Sequence, residues 1–117
     1  MKKPTVYGIP NCDSVKKART WFSEQGLDYS FHDFKKQGVP DTQLQQWLQA
    51  CGWEVVLNRK GTTWRQLDAA TQAGVTDAAS ARALMLAQAS IIKRPVLDTG
   101  KTLLVGFDPE VYTKTLR

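Results

Sequence analysis

The spacing of apolar residues changes several times along the chain, and each change marks an element. Thr5-Val6-Tyr7 is a short β-rich run stopped by Gly8 and Pro10, the pattern of a buried strand entering a loop. From Asp13 the period becomes helical. Val15, Ala18, Trp21 and Phe22 share one face, Asn11 or Asp13 can cap the start, and Gly26 supplies the stop after about Gln25. Tyr29 to Phe34 returns to β-formers and aromatic residues and predicts a second strand. Strand, helix, strand is a βαβ unit, which favours a parallel pair.

The middle of the chain reads differently. Asp41 or Thr42 starts a helix with Leu44, Trp47, Leu48 and Cys51 on one face and Gly52 at its end. Residues 53–61 show no period and are expected to be irregular. Thr62 to Leu67 predicts a short capped helix, and Asp77 caps an Ala-rich one with Ala81, Leu84, Met85 and Gln88 on one side. After Arg94 the strands return: Pro95–Asp98 and Lys101–Val105 flank Thr99-Gly100, a hairpin with a tight turn. Asp108 caps a last helix with Pro109 at its first position and Val111, Tyr112 and Leu116 inside. The order βαβ, helices, ββα predicts an α/β mixed sheet in one domain over residues 1–117, with a helical insertion at about 36–90.

Composition narrows the chemistry. At 117 residues, 42% hydrophobic and 23% charged, the chain has the make-up of one globular domain and excludes disordered, collagen-like and coiled-coil readings. Two cysteines exclude a disulfide scaffold, and with a single His they cannot fill a Cys-rich zinc site, so no metal is expected. No run approaches the ~18 apolar residues of a membrane span. Met1-Lys2-Lys3-Pro4 looks briefly like a signal start, but Thr5–Ile9 is too short for its apolar region. A cytoplasmic protein with reduced thiols and no membrane contact is the expectation.

The net charge is +5. Nine basic and six acidic residues fall in 1–60, seven and five in 61–117, and the excess is spread as pairs such as Lys16-Lys17, Lys35-Lys36 and Lys93-Arg94. Direct nucleic-acid binding is therefore not expected, while convergence of a few cations on a small anion is.

Cys12 carries the most information. It stands after a strand, in a Gly-Ile-Pro-Asn loop, at the start of a helix whose free N–H groups and partial positive charge stabilise a thiolate. Lys16, with Lys17 or Arg19, is expected to add positive charge one turn on. The competing reading is a small packed hydrophobe. Val15 stands where a Cys-x-x-Cys motif has its second thiol, so a mixed disulfide on Cys12 needs an external thiol such as glutathione. Cys51, on an apolar stripe, reads as a core residue rather than a resolving thiol. Arg94, before Pro95, offers a planar fork for a carboxylate or oxyanion, against the plain reading of a surface arginine. Arg59 is a similar case with less support. His32 reads as a structural residue of its strand, and Trp21, Trp47 and Trp64 as core.

Four ordered motifs carry a resemblance. Tyr7-Gly8-Ile9-Pro10-Asn11-Cys12-Asp13-Ser14-Val15-Lys16-Lys17-Ala18, Asn58-Arg59-Lys60-Gly61-Thr62-Thr63-Trp64, Ile92-Lys93-Arg94-Pro95-Val96-Leu97 and Val105-Gly106-Phe107 together resemble the arsenate reductase (ArsC)/Spx family, nearest its small YffB-type branch. The resemblance implies a thioredoxin-like fold with a helical insertion and Cys12 as the redox nucleophile. It also implies that Pro95 is a cis-proline facing the thiol, that Arg94 lines an anion pocket with Asn11 and Lys16 nearby, and that Arg59 is a second anion-binding arginine. Arsenate reductases of the family carry a His at the position of Gly8 and a further arginine where this chain has Gly106-Phe107-Asp108. The Spx regulators carry the second cysteine that Val15 replaces. The reading that remains is a glutathione-dependent thiol reductase with no bound cofactor and glutathione as co-substrate. The alternatives are a glutathione- and glutaredoxin-coupled arsenate reductase and an Spx-like regulator that binds RNA polymerase.

Overall fold

A computed structural model describes residues 3–116; Met1, Lys2 and Arg117 lie outside the described residues, and with them the first half of the Met1–Pro4 segment. The elements are β1 (Thr5–Gly8), α1 (Asp13–Gln25), β2 (Ser30–Asp33), α2 (Phe34–Gln37), α3 (Asp41–Cys51), α4 (Trp53–Val56), α5 (Thr62–Gln66), α6 (Ala69–Ala73), α7 (Ala78–Ala87), a 3-10 turn at Ala89–Ile91, β3 (Val96–Asp98), β4 (Leu103–Val105) and α8 (Pro109–Leu116). Two compact units result. One joins the residues up to Gln37 with those from Arg94 onward, and the other is Gly38–Lys93.

The first unit is a four-stranded sheet in the order β2-β1-β3-β4. β1 and β2 run parallel, as the βαβ order requires, while β3 is antiparallel to both β1 and β4. Register decides what each face carries. Val6 lies opposite Phe31 on one side and Leu97 on the other, and Leu97 lies opposite Leu104. These four residues therefore form one row on one face, because side chains alternate along a strand. Over that row sit Ala18, Trp21 and Phe22 of α1 and Tyr112 of α8, all buried, with Leu27, Tyr29, Phe107 and Leu116 at the margin. The rings of Trp21 and Tyr112 meet edge to face at 5.5 Å, an arrangement aromatic quadrupoles favour. The Tyr112 hydroxyl donates to the Gly106 carbonyl at 3.1 Å, which satisfies the polar end of this buried ring.

Two boundaries differ from the sequence expectation. The second strand stops at Asp33, not Phe34. The Asp33 carboxylate accepts the Lys35 N–H at 2.8 Å, and the Gln37 side chain accepts the Asp33 N–H at 3.0 Å. That reciprocal capping turns the chain into α2 with Phe34 inside it. The hairpin turn is longer than the two residues expected. Asp98 pairs with Leu103, and the loop between them is closed by Thr99 N–H donating to the Thr102 carbonyl at 3.0 Å. The Asp98 carboxylate accepts the Gly100 N–H at 2.8 Å, and Gly100 takes a φ of 90°, which a side chain would resist. On α8, Tyr112 is the buried residue, whereas Val111 is 40% exposed and not inside as expected.

The second unit is helical. Leu44, Trp47 and Leu48 form the buried face of α3, and Cys51, at its last position, is half-buried. Residues 53–61, expected to be irregular, begin instead with the single turn α4. Gly52 ends α3 through its N–H on the Leu48 carbonyl, and its own carbonyl accepts from Val55 and Val56. Four residues are too few to show a period, which is why the turn was not legible. The turn α6, for which no helix was expected, is capped by Asp68 on the Thr71 N–H at 2.7 Å. The Asp77 cap of α7 is present as a full capping box with Ser80. In this unit the Asn58 N–H donates to the Ile91 carbonyl at 2.9 Å and the Lys93 N–H to the Val56 carbonyl at 2.7 Å.

The first turn of α3 is tied to α7 by a two-pronged pair, Arg82 Nε to Asp41 Oδ1 at 2.7 Å and the Arg82 terminal nitrogen to Asp41 Oδ2 at 2.5 Å. The hydrogen bond from Arg82 holds the Asp41 carboxyl below its ordinary range. A carboxyl lowered in the folded state stabilises above its unfolded value and loses that contribution as pH falls through its folded value. Asp41→Asn is therefore expected to lower the melting temperature slightly at neutral pH and not at all in acid, which calorimetry across pH checks.

Candidate active site

The end of β1 and the start of α1 build the site. Ile9-Pro10-Asn11-Cys12 closes a turn, with the Cys12 N–H donating to the Ile9 carbonyl at 3.2 Å. Pro10 suits the second position of such a turn because its φ is already set. The turn delivers Cys12 to the N-cap of α1, with extended backbone (φ −111°, ψ 130°) and Asp13 as the first helical residue. This corrects the expectation that Asn11 or Asp13 caps the helix: Asn11 belongs to the turn and is exposed.

At an N-cap the sulfur faces the N–H groups that have no carbonyl partner in the helix. Those of Val15 and Ser14 point at the Cys12 sulfur, short of a full capping hydrogen bond, and favour its charged form. Arg94 reaches the same atom from the lead into β3, contributing a hydrogen bond and a positive charge. Burial pushes the thiol up, but the Val15 N–H, Arg94 and the Ser14 N–H together outweigh it, and the thiol lies below its ordinary value. Cys12 itself is half-buried, so the sulfur combines access with a stabilised charge.

The cation expected from Lys16 comes instead from Arg94. Lys16 and Lys17 are exposed on α1. Arg19 is occupied elsewhere, with Nε on the Tyr29 hydroxyl at 3.0 Å and its guanidinium 4.2 Å over the Phe31 ring. Arg94 is half-buried, its Nε enclosed, which places it well apart from a freely solvated surface arginine. The Arg94-Pro95 peptide is cis, and Pro95 is buried at the head of β3, where its carbonyl accepts the Gly106 N–H at 2.8 Å.

The remaining candidates have other surroundings. Arg59 lies in the helical unit, exposed, with a single 3.5 Å contact to Glu54 and its guanidinium 5.6 Å over Trp53. Burial raises the Cys51 thiol, so it is not an activated sulfur. His32 packs its ring on Tyr7 at 5.1 Å and on Phe34 at 6.0 Å, as expected of a structural residue. Trp64 is only half-buried, unlike Trp21 and Trp47. Among the described residues no group of His, Cys, Asp and Glu is placed to hold a metal ion, and no helix is long and apolar enough to cross a membrane.

The ArsC family model matches residues 7–115. The chain belongs to the ArsC family. The solved structure of the YFFB protein is 50% identical, with a TM-score of 0.93 over 98% of this chain and 100% of that one. An arsenate reductase (ArsC) related protein from Brucella melitensis is 48% identical, with a TM-score of 0.77 over 99% of this chain and 96% of that one. The global transcriptional regulator Spx 2 of Lactococcus lactis is 26% identical over 91% of this chain and 80% of its own length. This ArsC-family chain has the thioredoxin-like fold, a mixed sheet flanked by helices.

Proposed function

We propose that this ArsC-family protein is a single-thiol reductase acting on glutathione mixed disulfides. The observation that supports the reading is the convergence of Arg94 and the first N–H groups of α1 on the Cys12 sulfur. The thiolate attacks the glutathione sulfur of a mixed disulfide. The old S–S bond breaks, the product thiolate leaves and takes a proton, and a Cys12–glutathione disulfide forms. Val15 provides no second thiol, so a second glutathione thiolate attacks that disulfide, releasing oxidised glutathione and restoring Cys12. Electrons balance: the mixed disulfide and one glutathione thiol are exchanged for the product thiol and one molecule of oxidised glutathione. Arg94 offers its fork to a glutathione carboxylate in the same step. A role for Arg59 in binding rests on the resemblance alone.

The protein is proposed to work in the cytoplasm, with glutathione as co-substrate. The experiment is turnover of a glutathionylated peptide with glutathione, coupled to glutathione reductase. Turnover above the uncatalysed exchange supports the reading, and its absence sinks it.

Arsenate is the second substrate to test, since a relative is described as arsenate reductase related. Glutaredoxin is then the expected coupling partner. Gly8, at the position of the arsenate reductases' His, argues against it. The likeness to an Spx regulator keeps RNA polymerase as the partner to try if both reductase assays fail.

A further inference from the structure

Gly8 presents a puzzle that its backbone does not solve. It is the last residue of β1, buried, and pairs with Asp33 across the parallel ladder. Its φ is not in the left-handed region, so the conformation is one any residue adopts. A glycine in a strand weakens it and marks a close approach instead. The approach here is by Val15: a Cβ on Gly8 would stand 2.6 Å from Val15 Cγ2 and 3.5 Å from Val15 Cγ1.

Val15 has little freedom to yield. It is fully buried, and a valine in a helix is confined to essentially one χ1 rotamer. An added methyl at position 8 would therefore move the first turn of α1, not the valine side chain alone. That turn carries the Val15 N–H, the first of the donors that favour a charged Cys12 sulfur. The bare Cα of Gly8 is thus a seat against which Val15 rests, and the seat sets where its N–H points.

We propose that Gly8 is a positioning residue for Cys12: by leaving room for Val15 against the strand, it holds the first turn of α1 with the Val15 N–H aimed at the sulfur. The inference rests on reading Cys12 as the reactive thiol. It assigns Gly8 no contact with substrate. Arg94, the charged side chain that acts on the sulfur, is unaltered in every variant below.

The test is the pH midpoint of Cys12 alkylation by iodoacetamide, followed by mass spectrometry of the Cys12 peptide in the full chain. Gly8→Ala is expected to raise the midpoint by about half a pH unit, a roughly threefold loss of thiolate below it. In Gly8→Ala/Val15→Ala the two Cγ atoms are gone and the nearest remaining Val15 atom, Cβ, stands at 3.7 Å, an ordinary contact. The double variant is therefore expected to match Val15→Ala and to fall below Gly8→Ala. A folded Gly8→Ala with the wild-type midpoint overturns the proposal, as does a double variant still raised as far as Gly8→Ala. Should Gly8→Ala alone not fold, the comparison of the double variant with Val15→Ala decides: equal midpoints support the steric seat, and a higher one in the double variant overturns it. The midpoint is read without any disulfide substrate. A wild-type protein inactive on mixed disulfides but shifted by Gly8→Ala loses the reductase reading and keeps this one, and an active protein with unmoved midpoints does the reverse.

Discussion

Cys12→Ser is expected to reduce turnover of a glutathionylated peptide to the uncatalysed rate, with no glutathione adduct on the protein. A serine hydroxyl at this N-cap meets the same Val15 and Ser14 N–H groups and the same Arg94, but its alkoxide is out of reach near neutral pH and it cannot form a disulfide. Cys51 cannot substitute. It ends α3, and burial raises its thiol. Cys51→Ser is accordingly expected to retain wild-type turnover. Loss of activity in Cys51→Ser, or appreciable activity in Cys12→Ser, would contradict a one-thiol cycle.

The same substitution has a consequence for stability. The Cys12 thiol is lower in the folded chain than its ordinary value, so the folded state releases its proton first. Its contribution is fully present above the unfolded thiol's value of about 8.5 and is lost as pH falls through the folded value. Denaturant unfolding of the reduced protein should show wild type gaining on Cys12→Ser as pH rises through the folded thiol's value towards the unfolded thiol's value of about 8.5. A gap that stays constant or narrows with rising pH contradicts a stabilised thiolate.

What could be read in the residues, and what could not, follows from range. α1 was legible because Val15, Ala18, Trp21 and Phe22 repeat at a helical period, and β1 and β2 because Thr5–Tyr7 and Tyr29–Phe34 are runs of β-formers. The placement of Cys12 at a helix start followed from the Gly8–Pro10 stop and the Gly26 end. α4 and α6 were not legible, since four and five residues hold barely one turn. The Asp33 cap was readable in principle, but the aromatic run around it argued for strand. The larger miss was which cation serves the thiol. Lys16 is close in sequence and four residues along the helix, yet its side chain is exposed. Arg94 is remote in sequence and arrives because β3 pairs with β1, with Tyr7 opposite Val96, bringing the residues just before β3 to the β1 end where Cys12 lies. The Gly8–Val15 contact was invisible for the same reason: a glycine at a strand end reads as a stop, and only the folded chain shows what occupies the space it leaves.

Arg94→Met should raise the Cys12 alkylation midpoint by about one to two pH units, because it removes both a hydrogen bond and a positive charge from beside the sulfur. The loss of rate should be smaller than the loss of thiolate. A shift of about 1.5 units leaves roughly thirtyfold less thiolate at a pH below the midpoint, but a thiolate of higher pKa is a better nucleophile, with a Brønsted slope of about 0.4–0.5, which recovers about fivefold. Mixed-disulfide attack at a pH below the wild-type midpoint is therefore expected to slow by about sixfold from ionisation alone. Well above the midpoint, where both proteins are fully ionised, the variant should attack a small uncharged disulfide at least as fast as wild type. Glutathionylated substrate adds a second effect. If the guanidinium also binds a glutathione carboxylate, Arg94→Met raises KM for that substrate beyond what the neutral disulfide shows, and added salt weakens wild type more than the variant. Arg94→Lys, which keeps the charge and loses the fork, should recover much of the midpoint and little of the KM. An alkylation midpoint that does not move in Arg94→Met would remove Arg94 from the thiol's environment, and a normal KM beside a shifted midpoint would confine it to the sulfur.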